Sequence, residues 1–158
     1  MARYARSVTP GPSLDALRGT VADLVSLTAN RNARELKHAA QRGEWSAAEV
    51  AAHMADAELV YSVRVRMVLT DDNPTLVGYD EQAWASRLSM CDPDTATSVE
   101  RFRVLRDANL RLYESLEDAE WDRAGTHVER GSMTVADIVE LIIGHDRTHL
   151  DQIRKLLP

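Results

Sequence analysis

His145 and His149 stand four residues apart in the stretch 144–150, a spacing that stacks two imidazoles on one helix face. Two rings placed that way hold one divalent cation between them. A third histidine, His53, lies about ninety residues earlier in a second strongly helical segment. Three histidines from two helices form a half-shell that leaves a position for water or substrate. That is the pattern of a catalytic metal site rather than a closed structural one. Zinc is the first expectation for the metal, with nickel, manganese or iron as alternatives.

The two later histidines continue an apolar stripe. Ile138, Leu141, Ile142, His145, His149, Gln152 and Ile153 fall on one side at the helical period, so both rings point into the protein. Buried imidazoles without partners cost free energy, and one shared metal relieves both. Two core histidines satisfied by hydrogen bonds are the other reading of this spacing alone. His53 changes the balance: Glu49, His53, Ala57 and Val60 share a face, and Ala47, Ala48, Ala51, Ala52 and Ala55 leave space beside it. Glu49, Asp56 and Asp146 are candidates to orient ring nitrogens as hydrogen-bond acceptors. Asp56 is the candidate catalytic base, or a ligand itself, whereas Glu49 is already explained by a helix cap. Glu58 lies about 140° round the helix from His53, which argues against it as a base. His38, in a segment of uncertain structure, and His127, in a glycine-bounded loop expected to be exposed, are set aside.

Four long helices must position these groups. Ser13 as cap and Leu14, Leu17, Val21, Leu24 and Val25 at helical spacing predict a first helix over 13–28. Residues 30–32 read as a break, with a short helical piece over 34–41. Ser46 and Glu49 form a capping box, with Trp45 stapling onto Val50, and open a second helix over 47–69, about 35 Å long. A crossover follows over 70–93, with turn signals at Pro74 and Gly78 and a short helix over 80–88 that places Trp84. Its length lets the third helix, from Asp94 through Val99, Phe102, Leu105, Leu110, Leu112 and Leu116, start again at the same end of the bundle. Residues 117–133 read as a polar connection with short extended stretches at 126–128 and 132–134. Thr134 and Asp137 cap a fourth helix running to about 157. The expectation is an all-α four-helix bundle forming a single domain over 1–158, with an irregular lead-in over 1–12.

Composition narrows the classes. The 158 residues suffice for one core. A net charge of -6 without clustered Lys and Arg disfavours nucleic-acid partners. The longest apolar patch, 138–143, is interrupted by Glu140 and too short to span a bilayer. With one cysteine, Cys91, neither a disulfide nor a cysteine zinc cage can form, and Cys91 reads as a bystander thiol in a connection. A reducing, cytoplasmic location with no membrane partner is the expectation, since the N-terminus lacks a signal-peptide apolar run.

Residues 45–58, with Trp45, Ser46, Glu49, His53 and Asp56, and residues 144–153, with His145, His149, Gln152 and Ile153, resemble the two helical signatures of the DinB-like, or YfiT-like, metalloenzyme family. Pro74, Tyr79, Asp80 and Trp84 resemble the connection found in many members. The resemblance covers about residues 14–157. It implies up-down-down-up connectivity, a metal held by His53, His145 and His149, and a homodimer. Some members are thiol transferases using a low-molecular-weight thiol. The leading functional expectation is therefore a divalent-metal-dependent enzyme with thiol S-transferase-like activity on a small electrophile. The alternatives are a metal-dependent hydrolase, or a non-catalytic metal-binding or stress-response bundle.

Overall fold

Capping side chains set the ends of the helices. A computed structural model of the protein describes residues 11–39, 41, 43–88 and 94–157. Cys91 and most of the expected lead-in lie outside the described residues. The first helix, α1 (Asp15–Thr28), starts two residues later than Ser13 suggests; Leu14 is its N-cap and makes no side-chain cap bond. The short α2 (Ala33–Leu36) is capped by Asn32, which the sequence reads only as part of a break, and it ends well before residue 41. In α3 (Ala47–Thr70) the expected capping box is formed, with Ser46 and Glu49 each satisfying a free backbone amide of the first turn. The crossover carries β1 (Thr75–Leu76) and α4 (Glu81–Leu88). Asp94 caps α5 (Thr95–Glu114) by accepting from the Thr97 amide at 2.8 Å. The connection after it holds α6 (Asp118–Trp121), β2 (Ala124–His127) and β3 (Gly131–Thr134) before α7 (Val135–Leu156), which opens on the expected Thr134–Asp137 box.

The long helices form a four-helix bundle. Thr20 meets Asp146 and Asp23 meets Arg154, so α1 and α7 run parallel. Asp56 meets Arg101, Glu58 meets Arg106 and Ser62 meets Asn109, so α3 and α5 also run parallel. His53 faces both His145 and His149 while Tyr61 faces His145, which makes α3 and α7 antiparallel. The connectivity is therefore up-down-down-up, and the crossover returns the chain along the bundle between the two parallel helices.

A small sheet, order β1-β2-β3, closes the end where α3 stops and α7 begins. β1 joins β2 in parallel through Thr75↔Thr126 and Leu76↔His127, and β2 pairs with β3 antiparallel. Gly125 is required here: a Cβ would lie 2.9 Å from the Pro74 carbonyl oxygen and 3.1 Å from Val68.

The core is layered. One apolar layer gathers Leu17, Tyr61, Val65, Val68, Tyr113, Val135, Ile138 and Ile142 toward the sheet. A second gathers Leu24, Val50, Met54, Phe102, Leu150 and Ile153 at the other end. Between them lies a buried polar layer centred on Arg106, which is 0 % exposed. Its guanidinium donates to both oxygens of Glu58, to Asp146 and to the Leu17 carbonyl, and thereby ties all four long helices together. Asn109 donates to Glu58 and accepts from Ser62 and Arg66, while Thr20 donates to Asp146. The third long helix accordingly buries the expected Val99 and Phe102 together with Ser98, Arg106, Asn109 and Tyr113, while Leu105, Leu110 and Leu112 are only partly buried. Among the described residues no helix is long and apolar enough to cross a membrane.

Candidate metal centre

α3 and α7 bring His53, His145 and His149 together at mid-bundle. Each offers one ring nitrogen, and the three nitrogens lie within 4.8 Å of one another. Nε2 of His53 and Nε2 of His145 are 3.0 Å apart. Donors about 2.0–2.1 Å from a tetrahedral zinc would stand roughly 3.3 Å apart, so the cluster is of the size such an ion needs. Among the described residues no fourth His, Cys, Asp or Glu joins the group.

The rings of His53 and His149 are prepared as neutral donors. Burial, reinforced by the neighbouring His145 and His149, pushes the pKa of His53 down to about 3. Burial and then His145 also lower His149, against the opposing pull of Gln152 and Asp146. Gln152, one turn beyond, accepts from Nδ1 of His149 at 2.9 Å. That bond places the proton on Nδ1 and leaves Nε2 as a lone pair. Asp146 Oδ1 lies 3.9 Å from Nδ1 of His145, an ion-pair distance longer than a hydrogen bond. Burial opposes the charge on Asp146, but its contacts with His145, Arg106 and Thr20 outweigh this and hold its carboxyl below the usual range.

Aromatic rings wall the cluster. Trp45 packs 4.8 Å from the His53 ring and 6.5 Å from that of His149, and Tyr61 meets His145 edge-on at 5.8 Å. On the outer side of His149 a cavity of about 540 Å³ is lined by Trp45, Gln82, Gln152 and Lys155. Of the three histidines, His149 lines it.

Glu49 is taken by the Ser46 cap. Asp56 is buried against Arg101 and lies outside the histidine group. Glu58 faces Arg106 in the polar layer, in keeping with its angle away from His53. Of the three proposed orienting carboxylates only Asp146 stands beside a histidine. His38 is exposed. His127 is a correction: instead of an exposed loop it occupies β2, buried, where its Nδ1 accepts from the Glu129 amide at 3.2 Å. The pairing of β2 with both β1 and β3 buries it. Gln152 was visible on the histidine stripe, and its i+3 spacing from His149 is the signal for its role.

The sequence profile of the DinB superfamily matches residues 16–153. The chain belongs to the DinB superfamily. A protein of Oceanobacillus iheyensis is 29 % identical to it over 78 % of this chain and 70 % of the relative. A protein of Geobacillus kaustophilus is 27 % identical over 89 % of this chain and 80 % of the relative. Both carry the name "Putative metal-dependent hydrolase". Among solved structures, YfiT from Bacillus subtilis, described as a probable metal-dependent hydrolase with an unusual four-helix bundle topology, superposes with a TM-score of 0.84. It is 23 % identical, covering 90 % of this chain and 82 % of that one, and it shares the fold.

Proposed function

We propose that this DinB-superfamily chain is a metal-dependent hydrolase whose ligands are His53, His145 and His149. The observation that carries the proposal is three converging ring nitrogens without a fourth protein ligand among the described residues, beside an open cavity. A bound divalent ion, zinc first, supplies Lewis acidity, acidifying a water and polarising a substrate carbonyl or phosphoryl group. The protein's own part is to keep the imidazoles of His53 and His149 neutral by burial, to fix the His149 tautomer through Gln152, and to exclude bulk water with Trp45 and Tyr61. Such a site also accepts a thiol, so S-transfer with a low-molecular-weight thiol is the second reading. The names of the relatives favour hydrolysis over it.

Assays of the metal-loaded protein on a panel of ester, amide and phosphoester substrates, with and without added thiol, separate the two. Thiol-independent turnover abolished in His145→Ala supports hydrolysis; turnover only with thiol present moves the assignment to S-transfer. Asp56 is part of the proposal as a base held by Arg101. A fall in kcat in Asp56→Asn at unchanged metal content supports that role, and unchanged kcat removes it. A homodimer, implied by the family resemblance, is read by light scattering: twice the chain mass supports it and the single-chain mass of 17.6 kDa removes it.

A further inference from the structure

The buried polar layer reaches the metal cluster through one side chain. Neighbouring residues on a helix point about 100° apart, so Asp146 does not turn toward His145 by sequence proximity alone. It is held from two other helices. Thr20, on α1, donates to Asp146 Oδ2 at 2.9 Å, with a proton it shares with the Ala16 carbonyl. Arg106, on α5, donates to the same oxygen at 2.7 Å. Thr20, Arg106 and Asp146 are all buried. The other oxygen of Asp146, Oδ1, is left toward Nδ1 of His145 at 3.9 Å. Arg106 also donates to both oxygens of Glu58, so one cation faces two carboxylates and the trio keeps a negative charge. A buried carboxylate at ion-pair distance favours a proton on Nδ1 of His145 and disfavours a lone pair there. The opposite nitrogen of the ring, Nε2, is the one that meets Nε2 of His53 at 3.0 Å.

We propose that Thr20, together with Arg106, is a positioning residue of the metal site: through Asp146 it fixes His145 in the tautomer that turns the Nε2 lone pair toward the metal. This rests on the three-histidine reading of the site and adds to it two helices, α1 and α5, that carry none of the three histidines. The two histidines of α7 are then set by different means. His149 is fixed by the Gln152 side-chain oxygen at 2.9 Å, and His145 by a carboxylate held from α1 and α5. With the His145 proton on Nδ1, His53 is the donor in the 3.0 Å contact of the metal-free site and His145 the acceptor.

The test is the tautomer of His145 in metal-free protein in slightly alkaline solution, read from the chemical shifts of its ring nitrogens, beside zinc affinity measured by competition with a chromophoric chelator. In the wild type the proton is expected on Nδ1. Asp146→Asn, which keeps the shape and removes the charge, should mix the tautomers and weaken zinc binding about 10–100-fold. Thr20→Val, which keeps the shape and removes the hydroxyl, should weaken it at least about threefold, and Thr20→Ser should restore it. A proton found on Nε2 of His145 in the wild type overturns the inference. So does wild-type affinity in Thr20→Val or Asp146→Asn, or a loss in Thr20→Val that Thr20→Ser leaves unrepaired, which packing alone would give. Because the tautomer is read without metal, failure of the three-histidine reading leaves that measurement standing. Normal metal content beside an unchanged tautomer and affinity in the variants removes this inference alone.

Discussion

Replacing Arg106 by methionine should be among the most damaging single changes in this protein. Arg106 is 0 % exposed, and its guanidinium faces Glu58 at 2.8 Å and Asp146 at 2.7 Å. Methionine roughly preserves the apolar stem but leaves both carboxylates buried, with Asn109 as the remaining donor to Glu58 and Thr20 as the remaining donor to Asp146. Removing one partner of a buried pair costs about 3–5 kcal/mol, and here two carboxylates lose theirs. Against a total of about 5–15 kcal/mol for a domain, that removes a third or more of the stability. The cost has a sign in pH. In the wild type the folded Asp146 carboxyl is held below its unfolded value. Its contribution is therefore present above about pH 4 and lost as pH falls through the lower folded value. In Arg106→Met burial acts on Asp146 without the compensating cation, its folded value rises, and the variant is penalised most at neutral pH. Urea unfolding followed by circular dichroism at pH 7 and pH 4.5 reads both terms. A loss of at least about 3 kcal/mol at pH 7 is expected, smaller at pH 4.5 and partly restored when Glu58→Gln and Asp146→Asn are added. A loss under about 1 kcal/mol at pH 7, or one that does not change with pH, would refute the reasoning.

The other predictions concern the site and its frame. Gln152→Ala frees the His149 tautomer and should weaken metal affinity about 10–100-fold, measured by competition with a chromophoric chelator, with the fold unchanged. The metal-free protein should lose stability as pH falls from about 6.5 toward 3. Over that interval the unfolded chain takes up a proton that the folded His53, with its pKa near 3, does not. The expected slope is about 1.4 kcal/mol per pH unit for that one proton, read from urea midpoints, and saturating metal should steepen it. Thr134→Ala removes the α7 cap, in which Thr134 Oγ1 accepts from the Asp137 amide at 3.0 Å, and should cost about 1 kcal/mol in the same assay without changing metal content. Saturating metal at a hundredfold excess over its Kd should stabilise the wild type by about 2.7 kcal/mol, and chelator should reverse this.

Much of the centre was legible because it obeys a local period. The i, i+4 spacing of His145 and His149 and their place on the stripe of Ile138 and Ile142 announce two inward rings, and α7 carries them as read. The boxes at Ser46 and Thr134 are local chemistry too, and both form. Arg106 was hidden because a lone cation among Phe102, Asn109 and Tyr113 resembles a helix edge until Glu58 and Asp146, on two other helices, are brought to it. The β1–β2 pairing was equally hidden. Two residues at 75–76 have no period of their own, and their partners lie about fifty positions away at 126–127. The small sheet explains the buried His127, and Gly125 makes its close approach to Pro74 sterically allowed. For Asp56 the sequence shows a place on α3 one turn from His53; its pairing with Arg101 became visible only with the parallel packing of α5.

The most direct test of the account is metal content by mass spectrometry on freshly purified protein and on His53→Ala, His145→Ala and His149→Ala, with circular dichroism confirming that each variant is folded. About one equivalent of a divalent metal per chain is expected in the wild type, with loss in all three folded variants. No metal in the wild type after reloading with zinc, nickel, manganese or iron, or undiminished metal in any one of the three variants, would contradict it.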